Sequence, residues 1–165
     1  MEQLLSTPVR ASEVVLGKMA AFFVLGIVDM LITIVVGVFI FHVPLRGNFL
    51  FLVGTGCVFL IGALCWGILL SAVTRTQLLA YQLAMLTSFL PAFLLSGFVF
   101  DIANMPIPVQ VVTYIFPTRY FITILKGVFL RGVGIKVLAW EVVLLGVYAV
   151  AVFVLATRKL MQKVA

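Results

Sequence analysis

Apolar residues gather in four long blocks along this chain, each bounded by a short polar or proline- and glycine-marked stretch. The blocks run roughly from Met19 to Phe41, Phe49 to Val73, Leu78 to Phe100 and Val137 to Thr157. A bilayer core takes about 20 mostly apolar residues per spanning helix, so the pattern predicts four transmembrane helices in an all-α polytopic membrane protein. HVPLRGN joins the first two blocks and SAVTRTQ the second and third, both short. The third and fourth are separated by DIANMPIPVQVVTYIFPTRYFITILKGVFLRGVGIK, too long for a turn and too apolar for a solvated loop.

Pro106, Pro108 and Pro117 divide that long connection, because proline ends a preceding helix and is tolerated at the start of the next. Between Pro117 and Arg131, Arg119, Thr123 and Lys126 recur at helical spacing, with Phe121, Ile122, Leu125, Val128 and Phe129 on the other faces. This predicts an amphipathic helix that lies at the interface or dips back into the bilayer, with Arg119 and Lys126 on one face. The chain then reads as one transmembrane domain. Residues 1–18 form a polar head, 19–100 three spans, 101–136 an outer loop with re-entrant helices, 137–157 the last span and 158–165 a tail.

Composition settles the class. With 65% hydrophobic and 10% charged residues and a mean hydropathy of +1.34, the chain lies far outside the range of soluble domains. The first 18 residues carry Glu2, Pro8, Arg10 and Glu13 and lack the compact apolar run of a cleavable signal peptide. A net charge of +6 would suggest nucleic acid in a soluble protein. Here the basic residues flank spans, where they meet lipid headgroups, and no nucleic-acid partner is expected. Six basic residues fall on the side bearing both ends and five on the other, which does not orient the chain. The TRKLMQK cluster and the TRTQ turn lean towards cytoplasmic termini.

Single residues add less. Asp29 sits near the middle of the first span, where a carboxylate is costly and usually faces a polar or water-filled interior. A pathway role and a structural, hydrogen-bonded role explain it equally well. Glu141, beside Trp140 at the start of the last span, reads as an interfacial anchor. Ala80, Ala84, Ser88, Ala92 and Ser96 form a small-residue stripe on the third span, and Ala63, Gly67 and Ser71 one on the second, suited to close helix packing. Pro91 predicts a kink. His42 is the only histidine and has no neighbouring metal-ligating partner, Cys57 and Cys65 say little beyond packing, and no GxxxxGK[ST] loop is present. Neither an enzyme nor a bound cofactor is expected.

Three blocks, EQLLSTPVRASEVVLGK, LPAFLLSGFVFDIANMP and FPTRYFITILKGVFLRG, stand in this order between the spans. Together they resemble the permease subunits of type-2 ATP-binding-cassette exporters over nearly the whole chain. Asp101 departs from the family pattern, where proline more often follows the SGFVF block. The resemblance implies that the chain corresponds to the last four of six spans, without the first two helices and the outer domain. It further implies a bacterial inner-membrane location, a second permease copy or homologous permease, and an ATPase subunit that holds the ATP. A truncated, non-transporting protein that regulates a full-length permease is the alternative.

The polar head then acquires a meaning. Thr7 precedes Pro8 and is steered away from helical angles, and Ser12 can cap the helix entering the membrane with Glu13 in its first turn. By the resemblance, Glu2, Leu4, Leu5, Thr7, Pro8, Arg10 and Glu13 form a coupling segment that contacts the ATPase.

Overall fold

The computed structural model describes residues 11–74 and 76–164. Four of its helical stretches are long and apolar enough to cross a membrane: Leu16–Phe39, Phe49–Val73, Gln77–Leu94 and Val137–Lys159. They belong to α1 (Ala11–Phe39), α2 (Phe49–Val73), the pair α3 (Gln77–Ala84) and α4 (Leu90–Leu94), and α7 (Ile135–Val164). No strand occurs among the described residues. The four spans bear large exposed apolar side chains, among them Phe22, Leu25, Phe89, Phe93, Val147 and Phe153, as befits helices whose solvent is lipid.

The ends of the spans have local causes. α1 stops where His42 adopts a left-handed conformation (φ 51°) and the Val43 N–H reaches back to the Gly37 carbonyl at 3.0 Å. Asn48 caps α2, its Oδ1 accepting from the Leu50 N–H at 2.9 Å, and Thr76 caps α3 by accepting from the Leu79 N–H at 3.3 Å. The third span is shorter than its apolar block. It ends at Leu94 and not at Phe100, because the chain turns through Gly97 (φ 79°) while the Ser96 Oγ accepts from the Phe98 N–H at 3.3 Å. Between α3 and α4 lies a π-helical turn, Met85–Phe89. Pro91 explains it: the ring would press on the carbonyl four residues back, Thr87, and a wider turn moves that carbonyl away.

Glycines set the closest helix contacts. A Cβ on Gly62 of α2 would lie 3.5 Å from the Ala149 Cβ of α7, so these two spans pack at small-residue distance. Gly26 of α1 receives Leu60 of α2, and Gly56 of α2 receives Met30 of α1. The stripe Ala63, Gly67 and Ser71 is exposed, and a Cβ on Gly67 would meet nothing within 4 Å, while Ala63 borders a cavity beside the third span.

Between α4 and α7 the chain forms a 3₁₀ turn (Ile102–Asn104), then α5 (Ile107–Thr113) and α6 (Pro117–Lys126), continued by a second π turn, Gly127–Arg131. Proline stands at the N-terminal edge of each short helix, as Pro106 and Pro108 for α5 and Pro117 for α6. The α6 helix runs alongside α2. Phe121 stacks on Phe59 with ring centroids 4.4 Å apart and planes 5° from parallel. Further along, Val128 meets Gly47 and Gly132 meets Arg46, in the loop that begins α2. Gly132 has φ +62°, open to glycine at little cost. A Cβ on Gly47 would lie 2.8 Å from Val128 Cγ1 and 2.9 Å from its carbonyl oxygen. Ile124 and Val128 of this segment are fully buried with Leu52 of α2 and Leu138 and Leu145 of α7. The core of the molecule is thus the seam where α6 lies against α2 and α7.

Candidate functional site

The hairpin of α5 and α6 is held by one side chain in particular. The Arg119 guanidinium donates through Nη1 to Thr113 Oγ1 and, at 3.4 Å, to the Gln110 carbonyl, and lies 3.7 Å over the Tyr114 ring. Thr113, itself fully buried, donates to the Gln110 carbonyl at 2.7 Å. The Gln110 Nε2 donates to the Met105 carbonyl at 2.8 Å, and the Tyr120 hydroxyl to the Tyr114 carbonyl at 2.7 Å. Helix-end carbonyls of α5, which have no partner within the helix, are thereby tied to the first turn of α6. A cation above an aromatic face adds attraction that grows as water is removed.

Lys126, two turns along from Arg119, reaches a different place. Its Nζ donates at 2.6 Å to the carbonyl of Gly97, in the turn that ends the third span. The two cations therefore share a face of one helix segment but do different work, Arg119 on α5 and Lys126 on the turn after α4. Lys126 also lines a cavity of about 310 Å³ with Asp101, Arg131 and Glu141. Glu141 differs from the interfacial anchor that the sequence suggests: one of its carboxyl oxygens, Oε2, is buried with no hydrogen-bond partner among the described residues. Nothing in the pattern along the chain marks it, because the burial comes from the segment around Lys126 to Val133 folding over α7.

Asp29 lies on an exposed face of α1. It lines a groove of about 280 Å³ with Thr33, Met30, Phe59, Phe121 and Phe129, between α1, α2 and α6. The walls are apolar but for Thr33 and the carboxylate. The coupling-segment residues Glu2, Leu4, Leu5, Thr7, Pro8 and Arg10 lie outside the described residues, and Glu13 falls within α1 with its side chain outside them. Among the described residues no group of three or more histidine, cysteine or acidic side chains could hold a metal ion.

Depth along the spans gives the hairpin its meaning. Ile115, Phe116, Pro117 and Thr118, at its tip, share one cavity with Phe59 and Trp66 of α2, Thr87 and Ser88 of the third span and Tyr148 of α7. All of these partners lie well inside their spans. At about 1.5 Å per residue, the segment from Pro117 to Arg131 rises some 20 Å from that level to the loop before α2. Four apolar spans, with the tip of a helical hairpin set against three of them at mid-span, define a multi-pass membrane protein.

The chain belongs to the ABC-2 type transporter family, which matches residues 1–130. It is 44% identical over 132 residues to an Escherichia coli K12 protein described as "Probable multidrug ABC transporter permease YbhS", covering 80% of this chain and 35% of the relative. Its identity to "Probable multidrug ABC transporter permease YbhR" of the same organism is 26% over 137 residues, 83% of this chain and 37% of the relative. "ABC transporter G family member 20" of Dictyostelium discoideum is 26% identical over 137 residues, 82% of this chain and 18% of the relative. The chain thus spans little more than a third of the length of the two bacterial relatives. No solved structure matches it.

Proposed function

We propose that this chain forms the membrane-spanning part of an exporter permease, moving substrate across the membrane on ATP hydrolysed by a separate ATP-binding-cassette subunit. The observation that carries the reading is the ABC-2 type transporter match over residues 1–130, which takes in three spans and the inserted hairpin. Relatives described as multidrug permeases support an export role.

In this reading the polar head, Glu2, Leu4, Leu5, Thr7, Pro8, Arg10 and Glu13, docks on the ATPase and passes its motion into α1. The α5–α6 hairpin, with Arg119 and Lys126, closes the pathway on the outer side. Asp29 faces the pathway or a polar partner, since an unpaired carboxylate at mid-membrane is costly. A second permease copy completes the translocation unit, both termini lie in the cytoplasm, and the location is a bacterial inner membrane. Replacing Leu5 and Arg10 together, in the complete transporter co-expressed with its ATPase, tests the coupling. The expected result is loss of ATPase co-purification and of Nile red efflux at unchanged membrane insertion. A doubly substituted protein that holds the ATPase and exports the dye like the parent refutes it.

A further inference from the structure

The cavity at the hairpin tip has a lining unlike the rest of the molecule. It measures about 300 Å³, at the lower end of the range of roughly 300–1,000 Å³ for small-molecule sites. Four rings border it, Phe59, Trp66, Phe116 and Tyr148, and no charged side chain does. It lies among residues well inside three different spans, where a bare charge is costly.

Its hydroxyl groups carry the argument further. In helices surrounded by lipid, a hydroxyl normally satisfies itself on its own backbone. Thr55, Thr74, Thr87, Thr113, Thr123 and Thr157 do so, each donating to a carbonyl three or four residues back at 2.5–3.0 Å. The cavity residues Ser88, exposed, and Thr118 and Tyr148, half-buried, have no hydrogen-bond partner among the described residues, as is also true of Thr33 in the groove beside Asp29. Thr87, also on the lining, donates to the Leu83 carbonyl at 2.6 Å and accepts from Trp66 Nε1 at 3.3 Å, which fixes the indole at the cavity wall. Three hydroxyls with no partner among the described residues thus border the same space as four aromatic rings, a lining that suits an aromatic guest able to hydrogen-bond.

We propose that this cavity is a binding site for an uncharged, planar aromatic molecule carrying hydrogen-bonding groups, stacked among Phe59, Trp66, Phe116 and Tyr148 and bonded to Ser88, Thr118 and Tyr148. The site lies within the proposed permease, yet binding to it needs neither ATPase nor transport. A failure of export therefore leaves it standing, and its own failure leaves the export reading standing.

The sequence contains two tryptophans, Trp66 and Trp140, so Trp140→Phe leaves Trp66 as the sole indole reporter. The full chain, purified in lipid nanodiscs, is titrated with the neutral probe dansyl amide while Trp66 emission is followed. Saturable quenching is expected. Ser88→Ala and Thr118→Val should each weaken it about 3- to 10-fold, the worth of one hydrogen bond, and Ala63→Phe, which places a ring in the cavity, should weaken it at least as far. Val147→Phe, at an exposed position on α7 outside the lining, serves as control and should leave it unchanged. Dansyl cadaverine, a cation, and dansyl glycine, an anion, should bind at least about 10-fold more weakly, since the lining offers no counter-charge. Unsaturable quenching, or equal affinity in the parent, Ser88→Ala, Thr118→Val and Ala63→Phe proteins, overturns the site. Equal affinity for either charged dye overturns the ligand class.

Discussion

Arg119→Ala should loosen the α5–α6 hairpin without disturbing the spans around it. The guanidinium donates to Thr113 Oγ1 and the Gln110 carbonyl and covers the Tyr114 ring. A hydrogen bond from a charged group is worth about 1.5–3 kcal/mol, the contact to Gln110 at 3.4 Å being too long to add much, and a cation over a ring is worth about 0.5–2 kcal/mol. Arg119 is only half-buried, so water replaces part of what is lost and the lower end of the sum, about 2 kcal/mol, is the fitting expectation. That corresponds to an open population of the hairpin about 30-fold larger. Hydrogen exchange reads it directly, because the amides of Val109, Gln110, Tyr114, Ile115 and Phe116 are bonded only within α5 and its following turn. Their exchange should accelerate about 30-fold while amides in α2 keep their rates. Arg119→Lys, which retains the charge but not the planar stack, should fall between. Exchange in α5 within about twofold of the parent for Arg119→Ala would refute the idea that this residue staples the hairpin.

Three further expectations follow from close contacts and charge. Gly47→Ala sets a Cβ 2.9 Å from the Val128 carbonyl. Overpacking against backbone costs about 1–3 kcal/mol, so a cysteine at the fully buried position 128 should react with a maleimide about 5- to 150-fold faster in that background. Gly132→Ala must hold φ +62° at a cost of roughly 1–2 kcal/mol, and thermal unfolding in detergent should show a lowered midpoint; an unchanged midpoint would mean that the turn relaxes freely. Asp29→Leu should reduce dye efflux by the complete transporter more than it reduces insertion, and equal efflux at equal expression assigns Asp29 a structural role.

Much of the architecture was legible along the chain. A block of about 20 apolar residues has few alternatives in a bilayer, because every backbone polar group must be satisfied within the segment. The α2 helix runs from Phe49 to Val73 as its apolar block predicts, and prolines mark the starts of α5 and α6. Where hydropathy misled, at 95–100, apolar side chains continue while the backbone turns at Ser96 and Gly97. Composition cannot register that.

Tertiary structure decided which faces meet. Small-residue spacing on α2 singles out Ala63, Gly67 and Ser71, yet Gly56 and Gly62 carry the contacts with α1 and α7. In lipid, apolar faces are nearly equivalent, and only the fit to a particular neighbour distinguishes them. The same reason hid the unpaired Oε2 of Glu141 and the ring-lined cavity at the hairpin tip. Glu141 is covered by a segment that begins at Lys126, about four helical turns earlier in the chain, and Phe59, Ser88, Thr118 and Tyr148 are each about 30 residues from the next. Local pattern dictates that these stretches become helices; their convergence on one space depends on how α6 lies against α2 and α7.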